Sequence, residues 1–302
     1  MIDINHVIED ALAKIRAGYV FPEKADAVDA AIRRRLADGE YTGLAGPELC
    51  EAVTAHLQEA CPDKHMRLLW RDDPQPVEGE ESPEEEKARW AATYRAEAYG
   101  IRRVEQLDGN LGYLDLRSIP DAAEGGRAFA AAMELLAHTE ALLLDLRKCR
   151  GGSPDGVALW CSYLFPDGEV HLNDVYERAT DSTRQFWTSA HVPGPRYADR
   201  PVYVLTSAFT FSGGEELAYN LKVNGRATLV GETTRGGAHP TDRLPVTPHI
   251  TVTVPAARSI NPVTGTNWEG VGVVPDVAVP AEEALEEAVA LALGRERVAA
   301  AS

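Results

Sequence analysis

The middle of the chain alternates between strand-like and helix-like segments, and this alternation constrains the fold most. A nearly all-apolar run, ALLLDLR (141–147), precedes helix-like GVALWCSYLF (156–165). Strand-like PVYVLTS (201–207) then precedes the amphipathic GGEELAYNLKVN (213–224), and a further strand-like run, ATLVGET (227–233), follows. All-apolar strands are typical of sheets that are covered on both faces. The order therefore predicts an α/β fold, with a mostly parallel sheet and helices on its faces.

Glycine pairs follow three of these strand-like segments. The pairs are Gly151 and Gly152, Gly213 and Gly214, and Gly236 and Gly237. Because parallel strands end at the same edge of a sheet, where ligands commonly bind, the three turns should lie close together. The sequence therefore predicts a functional site at this edge.

Ser212, directly before the second glycine pair, allows two interpretations. With Glu215 three residues later it fits a helix capping box, in which the hydroxyl accepts a hydrogen bond from a backbone N–H of the first turn. A serine at a strand-to-helix corner backed by glycines is also how a serine hydrolase exposes its nucleophile. These residues alone leave both interpretations open.

The amino-terminal part of the chain has a different character. Apolar residues at helical spacing predict three helices in the first sixty residues, and therefore a small helical bundle. Residues 72–89 contain three prolines and eight acidic residues, which indicates an exposed loop or linker. The predicted division is a helical domain over 1–70, an acidic linker over 71–97 and a catalytic core over 98–302.

Two further elements are predicted at the start of the core. An Asp108-Gly109-Asn110 turn between two strand-like runs predicts a hairpin, and an alanine-rich segment predicts a helix from about Gly126 to His138. Both elements fit the alternation of strands and helices that follows from residue 141 onward.

Charge and composition exclude several classes of partner. The net charge of −17 makes attraction to nucleic acid or to an anionic membrane surface unfavourable. No apolar run is long enough to cross a bilayer, and residues 1–14 lack the basic and apolar regions of a secretory signal. The four cysteines lack CxxC spacing. A cytoplasmic protein with reduced thiols is therefore expected, with a mature secreted form left open.

Four segments, in this order, resemble the S41 peptidases: DLRKCRGG (145–152), PVYVLTSAFTFSGGEE (201–216), RATLVGETTRGGAHP (226–240) and ARSINPVTGTNWEGVGVVPD (257–276). That family includes the carboxyl-terminal processing proteases, the tricorn protease core and the interphotoreceptor retinoid-binding protein modules. The similarity is greatest to the branch with a helical amino-terminal segment and no evident PDZ domain. It implies a catalytic core of the ClpP/crotonase type.

The resemblance implies a serine peptidase that cleaves peptides or proteins through an acyl-enzyme, without a cofactor or metal. Ser212 matches the nucleophile, and Gly213 follows it as one oxyanion donor. Gly151 or Gly152 matches the second donor, which is chemically sensible because glycine lets backbone N–H groups approach the substrate. Neither nucleic acid binding nor membrane insertion is expected, and a homo-oligomer is compatible with the family.

A general base and an acid should accompany the serine. Gly237 stands where one branch has its lysine, which contradicts a Ser-Lys dyad, so a histidine is expected. His65 matches the histidine of the tricorn-like branch, and His239, in a glycine corner, is the alternative. Glu269 matches the glutamate of that branch, which implies a Ser-His-Glu arrangement.

The remaining polar residues of these motifs receive structural interpretations. Asp145 and Arg147 are expected to form an ion pair, and Glu215 and Glu216 to favour the dipole at a helix amino terminus. Cys149 is expected to be a small buried residue. A second function stays open: a non-catalytic binding protein for apolar ligands, on the scaffold of the retinoid-binding modules. Retention of the serine and the glycine donors favours the enzyme.

Overall fold

The structure of the chain is a computed structural model that describes residues 3–77 and 82–294. The helices are α1 (Ile4–Gly18), α2 (Pro22–Ala37), α3 (Gly46–Ala60), α4 (Pro83–Ala96), α5 (Ala122–Leu136), α6 (Pro154–Leu164), α7 (Gly213–Val223) and α8 (Ala284–Ala292). The strands are β1 (Arg67–Trp70), β2 (Ile101–Leu107), β3 (Leu111–Leu116), β4 (Ala141–Asp145), β5 (His171–Glu177), β6 (Ser182–Trp187), β7 (Val202–Thr206), β8 (Thr228–Gly231), β9 (Thr241–Thr247), β10 (Ile250–Pro255), β11 (Ala257–Ile260) and β12 (Val277–Ala278). No helix among the described residues has the length and apolarity needed to cross a membrane.

The chain forms two compact units. The first comprises the described residues up to Ala88 together with Val175–Arg184 and His239–Ser259. The second comprises Arg89–Asp174, Gln185–Ala238 and the described residues from Ile260 onward. Each unit therefore contains segments that are distant in the sequence.

The first unit begins with the three predicted helices. Asp3 caps α1 by accepting a hydrogen bond from the His6 N–H at 3.1 Å, and α2 and α3 each carry a proline in the first turn, where its missing N–H is not needed. The apolar faces of these helices pack in one core with residues of an antiparallel sheet of order β1-β10-β9. Because β1 pairs with β10, this unit includes residues 239–259, far along the sequence.

The acidic segment differs from the expected loop, because helix α4 begins inside it. Ser82 starts this helix with a capping box: the Glu85 N–H donates to the Ser82 hydroxyl at 3.3 Å, and the Ser82 N–H donates to the Glu85 carboxylate at 2.9 Å. Glutamate, lysine, alanine and arginine then continue the helix as good helix formers. Residues 78–81 of the predicted loop lie outside the described residues.

The second unit is built on a six-stranded sheet of order β12-β8-β7-β4-β3-β2. The β2–β3 pair is antiparallel, as the predicted hairpin requires, and the other pairings are parallel. In β4, Leu142 and Leu144 face the core that includes residues of α5, α6 and α7, whereas Leu143 faces the core that includes residues of α8. The all-apolar run is therefore covered on both faces, which confirms the predicted α/β class.

Local differences from the sequence expectations have identifiable causes. Helix α5 begins at Ala122 instead of Gly126, because Asp121 caps it by accepting from the Ala123 N–H at 2.9 Å. The three-stranded sheet of order β11-β5-β6 was not predicted. Most residues of β6 are polar and exposed, so this strand lacks an apolar face that a sequence pattern could detect.

Glu216, in the first turn of α7, is buried instead of lying at a solvated helix terminus. Its carboxyl group accepts a hydrogen bond from the Asn173 side chain at 3.2 Å. Burial raises the pKa of Glu216 to about 7, and the nearby charge of Asp155 adds to this increase. The expectation of a favourable dipole charge is therefore wrong for Glu216, because desolvation opposes ionisation there.

Glu216→Gln should stabilise the protein at alkaline pH. The pKa is higher in the folded chain than in the unfolded one, so stability should fall as pH rises from about 4.5 to about 7. The neutral amide keeps the acceptor for Asn173 and removes this loss, which is on the order of 3 kcal/mol at most. Denaturant unfolding at pH 5 and pH 8 measures the effect: the variant should gain more at pH 8. An equal effect at both values would contradict a buried, neutral carboxyl group.

Candidate active site

Ser212 lies at the corner between β7 and α7, in an unusual backbone conformation. Its φ is 54° and its ψ is −125°. A positive φ in a residue other than glycine costs about 1–3 kcal/mol and persists only where the surrounding structure holds it. The corner is therefore the sharp, strained strand-to-helix turn on which hydrolases present a nucleophile.

The Ser212 hydroxyl does not cap helix α7. The residue types of a capping box are present, and the Ser212 N–H donates to the Glu215 carboxylate at 2.8 Å. The reciprocal half is missing, since the helix has no hydrogen bond from its first turn to the Ser212 side chain. The hydroxyl therefore does not contribute to the helix as the capping interpretation requires.

Glu215 connects the corner at Ser212 (the serine corner) to the turn at Gly236 and Gly237 (the third glycine turn). Its side chain is fully buried, and its two oxygens accept hydrogen bonds from four donors: the N–H groups of Ser212 (2.8 Å), Gly236 (2.5 Å) and Gly237 (2.9 Å) and the hydroxyl of Thr234 (2.5 Å). Burial raises the pKa of Glu215, although these hydrogen bonds favour the carboxylate. Glu215 therefore lies in the first turn of α7, as expected, but it is buried there and connects two parts of the site. Gly237, where a Ser-Lys enzyme has its lysine, is one of its donors.

The first and second glycine turns touch each other. A Cβ placed on Gly151, whose φ is 96°, would lie 2.7 Å from the Gly213 nitrogen and 2.7 Å from the Ser212 Cβ. A Cβ placed on Gly213 would lie 2.8 Å from the Gly152 nitrogen. A larger residue at either position would force the backbone apart, so glycine is required for this close approach.

The bridge between Gly152 and Ile119 fixes the direction of the Gly152 amide. Gly152 forms an isolated parallel bridge with Ile119, and the hydrogen bonds of that bridge involve the neighbours of Gly152 and not Gly152 itself. In a parallel bridge of this kind, the N–H of the bridged residue points away from its partner. The Gly152 amide is therefore the one directed away from Ile119, on the side where Gly213 lies.

Cys149 is the small buried residue that the sequence predicted. Its side chain has no exposed surface, and burial raises the pKa of its thiol to about 12. A Cβ placed on Gly214 would lie 2.9 Å from the Cys149 sulfur, so the thiol packs directly under the start of α7. The position therefore has a packing role.

All four cysteines should resist alkylation in the folded protein. Each thiol is free and buried, and burial raises the pKa of Cys50 to about 11 and that of Cys161 above its ordinary value. Because the thiolate is the reactive form, titration with a disulfide reagent at pH 8 should detect no fast-reacting thiol until the protein is unfolded, when four react. One thiol that reacts fast in the native protein would contradict this packing.

Asp145 and Arg147 form the predicted ion pair at the end of β4. Their closest oxygen and nitrogen are 2.6 Å apart, and Arg147 also donates to the Ala281 carbonyl at 2.7 Å. Burial raises the pKa of Asp145, but hydrogen bonds from Arg147 and Tyr113 outweigh this effect and hold it below the ordinary value. The pair fixes the start of the loop that carries Gly151 and Gly152.

Glu269 belongs to a loop that is bound to the third glycine turn. Its carboxylate accepts a hydrogen bond from the Ala238 N–H at 2.5 Å. The indole of buried Trp268 donates to the Gly237 carbonyl at 2.8 Å, and the Gly270 N–H donates to the Gly236 carbonyl at 3.2 Å. Within the second unit, Glu269 therefore lies on the same turn that Glu215 connects to the serine corner.

In the first unit, His65 lies in a tightly held turn before β1. Its N–H donates to the Asp63 carboxylate at 3.0 Å, and its carbonyl accepts from the Thr253 hydroxyl at 2.5 Å. The residue as a whole is partly exposed, and its ring Nδ1 is buried. Both backbone groups of His65 are thus fixed.

His239 forms a buried pair with Asp63. The two side chains are 2.7 Å apart and only 7% and 2% exposed, and the Tyr19 hydroxyl donates to the same carboxylate at 3.2 Å. Burial raises the pKa of Asp63, but the hydrogen bond and charge of His239, with smaller contributions from His65, hold it below its ordinary value. Asp63 thus contacts both candidate histidines. The sequence analysis did not select Asp63, although an aspartate two residues before His65 was a signal that could have identified it.

A comparison with protein-family models identifies the chain. The model of peptidase family S41 matches residues 110–279, which is more than half of the chain. The chain belongs to peptidase family S41. It is accordingly a serine-type peptidase, a hydrolase whose substrates are peptides or proteins, as the four sequence segments implied.

Solved structures show the same fold at low sequence identity. A putative peptidase from Parabacteroides merdae is 19% identical over 100% of both chains, with a TM-score of 0.63. A lipoprotein from Streptococcus agalactiae is 14% identical over 98% of both chains, with a TM-score of 0.61. The photosystem II D1 C-terminal processing protease is 15% identical over 93% of this S41 chain and 94% of its own, with a TM-score of 0.53. The ClpP-like core expected from the sequence is thereby confirmed.

Proposed function

We propose that this S41 peptidase cleaves peptide bonds through an acyl-enzyme on Ser212. The strained corner at Ser212 carries this proposal, since its φ of 54° is maintained by the hydrogen bond to Glu215 while the hydroxyl is not used as a helix cap. A strained residue whose hydroxyl makes no hydrogen bond to the helix is consistent with a functional constraint on that side chain.

Gly213 and Gly152 are proposed to form the oxyanion hole. Two preorganised N–H donors are needed where negative charge develops on the carbonyl oxygen. The close approach of Gly213 to the Gly152 nitrogen supports this pair. Gly151 is then the residue that lets the two loops meet, because at its φ of 96° a Cβ would lie 2.7 Å from the Ser212 Cβ.

His65 is proposed as the general base and Glu269 as the acid that stabilises its charged form. The family resemblance supports both residues, and the fixed backbone and partial exposure of His65 suit a base that must reach a substrate. His239 is the alternative base. Its 7% exposure and its pairing with Asp63 favour a structural role.

The proposed reaction consists of two transfers of the acyl group, first to Ser212 and then to water. The Ser212 oxygen attacks the peptide carbonyl carbon while its proton moves to the imidazole of the base, and the oxyanion is held by the two amides. Collapse of the tetrahedral intermediate breaks the C–N bond, and the imidazolium gives its proton to the leaving amine. Water then attacks the acyl-enzyme by the same route and releases the acid, with Ser212 regenerated. The carboxylate of Glu269 stays ionised throughout, as in other triads.

Rapid mixing with excess p-nitrophenyl acetate tests the acyl-enzyme. Acylation releases p-nitrophenolate before deacylation, so the protein should give a burst close to one equivalent and then a slower steady rate. Ser212→Ala should give no burst. A burst that persists in this variant would contradict the assignment. Absence of any burst in the unmodified protein would instead favour the apolar-ligand binding alternative.

A further inference from the structure

His65 lies in a short turn between helix α3, which ends at Ala60, and strand β1, which begins at Arg67. The Met66 N–H closes this turn by donating to the Asp63 carbonyl at 3.1 Å. A turn has fewer backbone hydrogen bonds than a helix or a strand, so its other contacts largely hold it in place. The position of the proposed base therefore depends on the side chains that reach the turn.

Two buried side chains hold the backbone of His65. The Asp63 carboxylate accepts a hydrogen bond from its N–H at 3.0 Å, and the Thr253 hydroxyl donates to its carbonyl at 2.5 Å. Asp63 and Thr253 are only 3% and 5% exposed. Because water does not readily replace a lost partner of a buried polar group, both contacts restrict the backbone of His65 and the direction of its Cα–Cβ bond.

Strand β10 directs the Thr253 hydroxyl at the turn. Thr253 pairs with Arg67 across the β1–β10 ladder, and the Arg67 N–H donates to its hydroxyl at 3.1 Å. The proton of the hydroxyl is then directed at the His65 carbonyl, at 2.5 Å, in preference to the Arg67 carbonyl, at 3.3 Å. Val252 and Val254, on the other face of β10, belong to the core that includes the helices. The side chain of Thr253 therefore contacts the turn instead of this core.

The Asp63 carboxylate is itself fixed through both of its oxygens. One oxygen accepts from the His65 N–H, and the other lies 2.7 Å from a ring nitrogen of His239 and accepts from the Tyr19 hydroxyl at 3.2 Å. Rotation of the carboxylate away from His65 would therefore also break its contacts with His239 and Tyr19. The His65 N–H thus has an acceptor of defined position.

We propose that Asp63 and Thr253 are positioning residues for the general base, because they fix the turn from which the His65 imidazole receives the proton of the nucleophile. The proposal rests on the proposed role of His65. Displacement of a reacting group by about 1 Å can slow a reaction about 100-fold, so loss of either contact should slow acylation. Both residues act through His65.

The burst of p-nitrophenolate from excess p-nitrophenyl acetate separates positioning from folding. Its amplitude measures the fraction of folded, active molecules, whereas its rate constant measures acylation of Ser212. Thr253→Val removes the hydroxyl and keeps the shape of the side chain. The rate constant at saturating ester should fall about ten-fold or more, with the amplitude near one equivalent and the half-saturating ester concentration unchanged. Thr253→Ser, which restores the hydroxyl, should recover most of the rate.

A second variant and two matched controls locate the effect. Thr251→Val makes the same change on the same face of β10, opposite Leu69, and should leave the rate constant unchanged. Asp63→Ala should slow the burst as Thr253→Val does. Tyr19→Phe removes another donor to the same carboxylate but leaves the shorter contact with His239, so it should not slow the burst.

An unchanged rate constant in folded Thr253→Val would overturn the proposal, as would an equal loss of rate in Thr251→Val. His65→Ala distinguishes this failure from failure of the proposed function. If the burst is normal in the unmodified protein and slow in His65→Ala, an unaffected Thr253→Val refutes the positioning role alone. A burst that is absent in the unmodified protein, or unchanged in His65→Ala, would refute the proposed function and the positioning role with it.

Discussion

Ser212→Ala should abolish peptide hydrolysis, with a loss in kcat of about four orders of magnitude or more, and should leave the free energy of unfolding nearly unchanged. The nucleophile is lost, but no cap hydrogen bond is lost with it, because the Ser212 hydroxyl does not cap α7. Cleavage of an unfolded protein substrate and denaturant unfolding measure the two effects.

A real helix cap provides the matched control for this prediction. Asp3 caps α1 by accepting from the His6 N–H, so Asp3→Ala should lower stability by about 1 kcal/mol and leave cleavage per folded molecule intact. If Ser212→Ala instead behaved like this control, with a loss of stability and retained cleavage, Ser212 would be a capping residue only.

His65→Ala and His239→Ala should have opposite effects. A histidine base predicts that kcat/KM rises with pH through a single ionisation near neutrality. His65→Ala should reduce kcat nearly as severely as loss of the serine, because members of a triad act as a unit, and should remove this pH dependence.

His239→Ala should mainly lower stability. It leaves the buried Asp63 carboxylate without its closest donor, at 2.7 Å, which should cost about 1.5–3 kcal/mol. Activity per folded molecule and its pH dependence should remain. The reverse pattern, with a stable but inactive His239→Ala and an active His65→Ala, would move the role of base to His239.

Features that depend on residues close together in the sequence were predictable from the sequence. The all-apolar run at Leu142–Leu144 indicated a strand covered on both faces, and both faces are covered. The glycine turns were expected to lie close together at one edge of the sheet, and the contact between Gly151 and Gly213 joins two of them. The helix inside the acidic segment could also have been found, since Ser82 and Glu85 have the spacing of a capping box.

Features that depend on contacts between residues far apart in the sequence were not predictable. Asp63 and His239 are 176 residues apart in the sequence, and neither residue indicates the other before the fold is known. Glu215 looked like an ordinary charge at a helix start. Its burial under Thr234 and the third glycine turn depends on where that turn packs.

Labelling with a fluorophosphonate probe tests the reactivity of Ser212 most directly. The folded protein should take up one probe per chain, with the added mass on the peptide that contains Ser212. The urea-unfolded protein and folded Ser212→Ala should take up none, because reaction needs both the hydroxyl and its assembled surroundings. Labelling that persists in folded Ser212→Ala, or a folded protein that resists the probe, would contradict the assignment of Ser212 as the nucleophile.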